Sequence, residues 1–267
     1  VKKSCFWILF VYLFCFLEPI SAGESKYLIW ESGSDSSKNK AFQLEELESK
    51  GKQIIRSSYF ERGMGLKETR LTVVPFSRML EIFPPSNGMD SILMDGEDDY
   101  QAIISLDQGK KYNLYWATKI QVSDGEKKPD WMNPLALVVP NSSNPPDVER
   151  YLPANIKNLR YVRWEDYYKP ITTVLKKYPI QEELGFEAFG DDCLYCHSLK
   201  GIGGNKGGDL TKKFQLSSQS GQNGFVQAFG IKHYSKGQYS SVEEFLHKKK
   251  ARKIAEFLSI IKKTDPY

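Results

Sequence analysis

The chain has 267 residues, 13% of them aromatic, and its 37 Lys and Arg against 33 Asp and Glu leave a formal charge of +4. So small an excess excludes the dense basic footprint that nucleic-acid binding needs. The length suits two modest domains, and no internal repeat or long low-complexity tract divides it.

The first residues read as an export signal. Lys2 and Lys3 form a positive start, Cys5 to Leu17 is an apolar run, and Ile20-Ser21-Ala22-Gly23 offers small residues for cleavage after Ala22. An apolar run this short falls below the length of a spanning helix; the alternative is an uncleaved N-terminal anchor. Residues 1–22 are thus expected to be removed, giving a periplasmic or otherwise extracytoplasmic protein with no transmembrane segment in the mature chain. Cys5 and Cys15 would leave with the signal, so Cys193 and Cys196 would be the only cysteines retained.

Residues 23–66 form a polar segment with weak helical spacing between Phe42 and Ile55. Over 67–168 the pattern changes to short apolar runs cut by Pro, Gly and Asp. Thr69–Val74, Tyr100–Leu106, Tyr112–Val122, Leu135–Val139 and Leu159–Trp164 are rich in β-branched and aromatic residues and predict strands. Met89 to Asp99 carries five acids, Asp90, Asp95, Glu97, Asp98 and Asp99, and reads as an acidic turn; their spacing does not follow a calcium-binding helix–loop–helix. Residues 169–180 read as a linker with one helical turn. Residues 181–267 end in an amphipathic helix with Ile254, Phe257, Leu258 and Ile261 on one face.

Cys193-Leu194-Tyr195-Cys196-His197 is a C-x-x-C-H sequence, the form that attaches one haem c covalently. Two thiols three positions apart can add to the two vinyl groups of one haem, and the adjacent His can reach the iron as proximal ligand. A C-x-x-C redox disulfide normally opens a helix in a βαβ unit, which is not read here. A zinc site would need two further ligands, and the two other His fit no common zinc spacing.

Gly185, four residues before Phe189, precedes the motif, and Ile254-Ala255-Glu256-Phe257-Leu258 follows near the end. With the motif itself these residues resemble the class I monohaem cytochromes c. The resemblance implies a small all-α cytochrome domain over 181–267, in which the first and last helices cross at Gly185. It also implies that a carbonyl in Gly207-Gly208-Asp209-Leu210 orients His197, where many members have Gly-Pro-Asp-Leu. The family's usual distal Met is missing, because no Met follows Met132. His233 is the favoured distal ligand, His247 the alternative, and an open site the third choice. Two imidazoles would give a lower potential than a Met/His pair.

The middle region has a second resemblance, in the order of Asp99–Leu106, Leu114–Thr118, Asn133–Pro140 and Val162–Trp164. It is similar to the β-rich molybdopterin-binding domain of the sulfite oxidase family. That family holds molybdenum through a Cys, and there is none between Gly23 and Asp192, so a scaffold without molybdenum is expected.

The expected fold class is therefore multi-domain α+β, a β-rich domain followed by the small all-α cytochrome domain. The expected function is one-electron transfer by an exported monohaem c-type cytochrome, an electron carrier rather than a catalyst. The alternatives are the electron-accepting haem subunit or domain of a periplasmic oxidoreductase of the sulfite-dehydrogenase type, and a haem sensor with an open distal site. A redox partner protein is expected; the run Lys248-Lys249-Lys250-Ala251-Arg252-Lys253 could steer one with an acidic docking surface, or be a solvated helix face.

Overall fold

The computed structural model describes residues 27–33, 39–63, 65–146, 148–177, 181–233 and 241–264, without the side chains of 62–63, 149, 181–184, 230–233 and 241–246. The export signal lies outside the described residues. In chain order the elements are β1 (Tyr27–Glu31), β2 (Lys40–Phe42), α1 (Leu44–Glu48), β3 (Gln53–Ile55), α2 (Ser58–Gly63), β4 (Arg70–Pro75), α3 (Phe76–Ile82), β5 (Ser91–Gly96), β6 (Gln101–Ser105) and α4 (Leu106–Lys111). There follow β7 (Tyr115–Gln121), β8 (Ala136–Val138), β9 (Ile156–Val162), α5 (Trp164–Leu175), α6 (Gln181–Asp192), α7 (Leu210–Lys213), α8 (Gln219–His233) and α9 (Ser241–Thr264).

The strands form two sheets, one ordered β2-β1-β9-β5-β6 and the other β3-β4-β7-β8. In the first, β1 runs parallel to β9 and the remaining pairs are antiparallel. The sheets face each other across a core that includes Ile92, Met94 and Leu159 from the first and Val74, Trp116 and Leu137 from the second. Phe76 of α3 stacks on Trp116 with ring centroids 5.4 Å apart. The outer face of the second sheet is covered by Phe60, Leu66 and Met132. The outer face of the first is covered by α5, α6 and α9, whose Ile171, Phe189 and Phe257 pack with Leu93, Ile103 and Val162 of the sheet. Alternation along a strand explains the division: Ile92 and Met94 point to one side of β5 and Leu93 to the other.

This architecture corrects the expected fold class. The chain is α/β, with strands and helices interleaved from the first described residues, and among the described residues no small all-α cytochrome domain is evident. The physical reason is that the C-terminal helices do not enclose a core of their own. Leu93, Ile103 and Val162 complete it from the sheet.

Several elements also differ from their sequence reading. The polar segment supplies β1, β2 and β3, so it belongs to both sheets. The acidic stretch contains β5, a central strand. Of the span read as a linker, residues 169–175 are helical, the C-terminal part of α5, with Ile171 fully buried.

Two sequence features match the observed geometry closely. A Cβ on Gly185 would stand 2.6 Å from the Lys253 carbonyl oxygen and 2.6 Å from Phe257 Cβ, so α6 and α9 cross with backbones in contact at that glycine. The five predicted strands are found as β4, β6, β7, β8 and β9, within a few residues at their ends. Among the described residues no helix is long and apolar enough to cross a membrane.

Candidate haem-attachment site

The motif begins where α6 stops. Cys193 N donates to Phe189 O at 2.9 Å, the last turn of the helix, and His197 N donates back to Cys193 O at 2.8 Å. This turn brings the imidazole round onto the same segment as the two cysteines. Both are free thiols, Cys193 buried and Cys196 half-buried. Burial pushes the Cys193 thiol well up from its ordinary value, with Asp192 adding to the shift and Lys250 opposing it. Cys196 is raised too, chiefly by burial, while its hydrogen bond with Tyr100 works against that. Tyr100 is pushed up to about 12, first by burial and then by the Cys196 contact. Both thiols are therefore protonated at neutral pH.

The loop after the motif folds back over it. Lys200 and Gly201 both have positive φ and form the tip of a two-residue turn closed by mutual Leu199 and Ile202 bonds of 2.8 and 3.1 Å. Gly204 N donates to Leu194 O at 2.8 Å and Gly207 N to Cys196 O at 2.6 Å, which lays the loop against the motif backbone. A Cβ on Gly207 would lie 2.2 Å from His197 Cε1, so the ring rests directly on that glycine. His197 Nδ1 is 2.9 Å from Gly208 O. An imidazole tied through Nδ1 to a carbonyl has its tautomer and ring angle fixed, and presents Nε2 to a metal.

The Gly208 position explains why proline is not used here. Its φ is +66°, in the left-handed region that glycine adopts freely. Proline is held near −65° and could not stand there. Asp209 then caps α7, its side chain accepting from Thr211 N at 2.8 Å.

The sequence reading missed the far side of the site, which is supplied by the β5–β6 hairpin. Gln101 N donates to Tyr195 O at 3.0 Å, and Asn205 N donates to Asp99 O at 2.8 Å. Gly203 N donates to Gln101 Oε1 at 3.1 Å and to the Tyr167 hydroxyl at 3.0 Å; that hydroxyl in turn donates to Gln101 Oε1 at 2.5 Å. The hairpin tip is thus bonded both to the motif and to the loop that folds over it. The acids that read as a turn are used in the same joint: Asp95 accepts from Gln101 Nε2 at 2.6 Å, and Asp98 pairs with Lys206 at 3.6 Å. No local pattern signals these contacts, because Gln101 and Gly203 are 102 residues apart.

Two ion pairs flank the end of α6, Arg150 with Asp191 at 3.1 Å and Lys250 with Asp192 at 2.5 Å. Lys250 of the basic run is therefore tied down, while Lys248, Lys249 and Arg252 are exposed. His247 is half-buried on α9. His233 is the last residue of α8, and its side chain lies outside the described residues. Neither is placed at the motif by any described contact. No protein-family model and no curated protein matches the chain.

Proposed function

We propose that Cys193 and Cys196 attach one haem c, that His197 is its proximal ligand, and that the protein is an exported one-electron carrier outside the cytoplasm. The observation that carries the reading is the bond between His197 Nδ1 and Gly208 O at 2.9 Å, with Gly207 in direct contact with the ring. An isolated C-x-x-C-H sequence has no need of such an arrangement. A histidine ligand does, since its orientation and basicity are set by the partner of the other nitrogen. The two free thiols on the same turn supply the attachment chemistry that the motif requires.

A haem held here would supply a single Fe(III)/Fe(II) couple. The protein's part is to hold and shield it. Gly207 and Gly208 fix the imidazole, the hairpin tip fixes the motif backbone, and the helices on the other side bury Cys193. With no Met after Met132, His233 is the proposed distal ligand and His247 the alternative. Bis-His coordination gives a lower potential than Met/His. The exposed Lys248, Lys249 and Arg252 fit a redox partner with an acidic surface.

The second reading, in which the haem accepts electrons from a reaction in the sheet region, is favoured by one observation. The hairpin that lines the inter-sheet core is bonded directly to the motif.

Absorption spectra of the ferric, ferrous and carbon-monoxide-treated protein test the coordination. Bis-His ligation predicts no Met-to-iron charge-transfer band and slow reaction with carbon monoxide. A Met band refutes it, and rapid carbon monoxide binding replaces it with an open site. His233→Ala is expected to convert the first behaviour to the second; if His247→Ala does so instead, the ligand is His247.

A further inference from the structure

A cavity of about 340 Å³ lies beside the motif. Its floor is the inner face of the first sheet, where Met94, Ala102 and Ile156 are each at most 4% exposed. Leu152, Pro153 and Ala154 form a wall, and Tyr195, between the two cysteines, closes one side. The rim is formed by residues that solvent reaches: Trp131 at 44% exposure, Tyr100 at 38%, and the Lys206 side chain at 49%. This volume falls at the lower end of the range for small-molecule sites, which are mostly apolar with a few placed polar groups.

The polar groups select the ligand. Lys206 Nζ sits 4.8 Å from the centre of the Tyr100 ring and 3.6 Å from Asp98 Oδ2. The carboxylate balances its charge, so the rim does not favour a charged ligand. An ammonium has three N–H donors, and one long ion pair leaves donors for an oxygen on a ligand. The Gln101 amide oxygen already accepts from Tyr167 and Gly203, and one of its two N–H donors is held by Asp95, so at most one neutral donor is added. What remains is an apolar floor, the rings of Tyr195, Tyr100 and Trp131, and at the rim the Lys206–Asp98 pair, whose ammonium is the cationic donor. That set suits a flat, uncharged ring system of one or two rings bearing a hydrogen-bond-accepting oxygen.

We propose that this cavity binds a molecule of the quinone class. The choice of a redox-active ring rests on the haem reading, because Tyr195 and Tyr100 join the cavity to the attachment site. Tyr195 belongs to the motif, and the Tyr100 hydroxyl bonds the Cys196 sulfur. The ring oxygen would accept from Lys206 while the ring body packs among Trp131, Tyr100 and the buried floor.

The test is equilibrium dialysis of the full, haem-loaded protein against 2,3-dimethyl-1,4-naphthoquinone, whose substituted ring does not add thiols, with naphthalene and 2-naphthoate as comparators. One quinone is expected to bind per chain, about tenfold tighter than either comparator, which is the size of one hydrogen bond from a charged donor. Lys206→Met should erase that preference, and Ala154→Trp, which fills the cavity, should abolish binding while the circular dichroism stays that of the parent. The proposal is overturned if the quinone does not bind, if naphthalene or 2-naphthoate binds equally well, or if folded Ala154→Trp protein still binds it. Haem retention is scored separately by mass. Protein that retains haem yet fails to bind quinone sinks this inference alone, whereas quinone binding by protein that never acquires haem supports the cavity and sinks the haem reading.

Discussion

The two sides of the first sheet are built on different terms. On the inner side, two sheets bury each other, with Leu47 of α1, Phe76 and Met79 of α3 and Leu106 of α4 completing the core. On the outer side, α5, α6 and α9 meet around Phe189 and Phe257, but the cluster is complete only with Leu93, Ile103 and Val162 of the sheet. The helical side is a cover that depends on its support. The C-x-x-C-H segment that follows α6 therefore inherits its position from both sides: the last turn of the helix leads into Cys193, and the β5–β6 hairpin holds the backbone between the two cysteines.

The sharpest way to break this comparison is to empty the helical core. Phe257→Ala removes a fully buried ring in contact with Phe186 and Phe189 and is expected to cost about 3–5 kcal/mol. Leu93→Ala, on the sheet, should cost about 2–5 kcal/mol by the same mechanism. Urea unfolding followed by far-ultraviolet circular dichroism and by tryptophan fluorescence decides what the losses mean. One common transition, shifted by both variants, is expected. If Phe257→Ala melts the helices while the sheet signal stays in place, the helical side is an independent unit.

Next in size is the loop over the imidazole. Gly207→Ala places a methyl group where the His197 ring lies, and overpacking of this kind costs about 1–3 kcal/mol. Gly190→Ala, whose added Cβ meets nothing within 4 Å, is the control and should be neutral or slightly stabilising. Equal effects from the two would show that the ring is not seated on Gly207.

These positions also show what the sequence could carry. β4, β6, β7, β8 and β9 were legible from β-branched and aromatic runs. β5 was not, because Ser91-Ile92-Leu93-Met94 is buried on both faces and a strand covered on both sides shows no alternation. The acids around it drew attention to a turn instead. The Gly185 crossing was implied by the resemblance to class I cytochromes c that Gly185, Phe189 and the motif carry. The separate all-α domain implied by that same resemblance failed, because the apolar face of a helix does not say what will cover it. Within the site, Cys193, Cys196 and His197 announce themselves, whereas Asp99, Tyr100, Gln101 and Tyr167 reach it only through tertiary contacts.

Smaller effects sharpen the hairpin side. Tyr167→Phe removes the donor to Gln101 Oε1 and the acceptor for Gly203 N, a loss of about 1 kcal/mol, readable as a shift in the urea midpoint. The pH dependence should be gradual. Burial raises Tyr100 from 10.0 to about 12, and raises Tyr167 and Tyr195 in the same direction. The folded state holds these protons more tightly than the unfolded chain, so the stability they confer is complete below about pH 9 and is lost as the pH rises through and beyond 12. Urea midpoints that stay flat from pH 8 to 11 would contradict this assignment of buried phenols.

The central claim, that this motif holds haem, is tested most directly by intact mass spectrometry under denaturing conditions. The protein would be produced in a host that matures c-type cytochromes. The parent chain is predicted to gain the mass of one haem that survives denaturation, and Cys193→Ser/Cys196→Ser to gain none. A parent chain that folds but carries no covalent haem under those conditions would contradict the account.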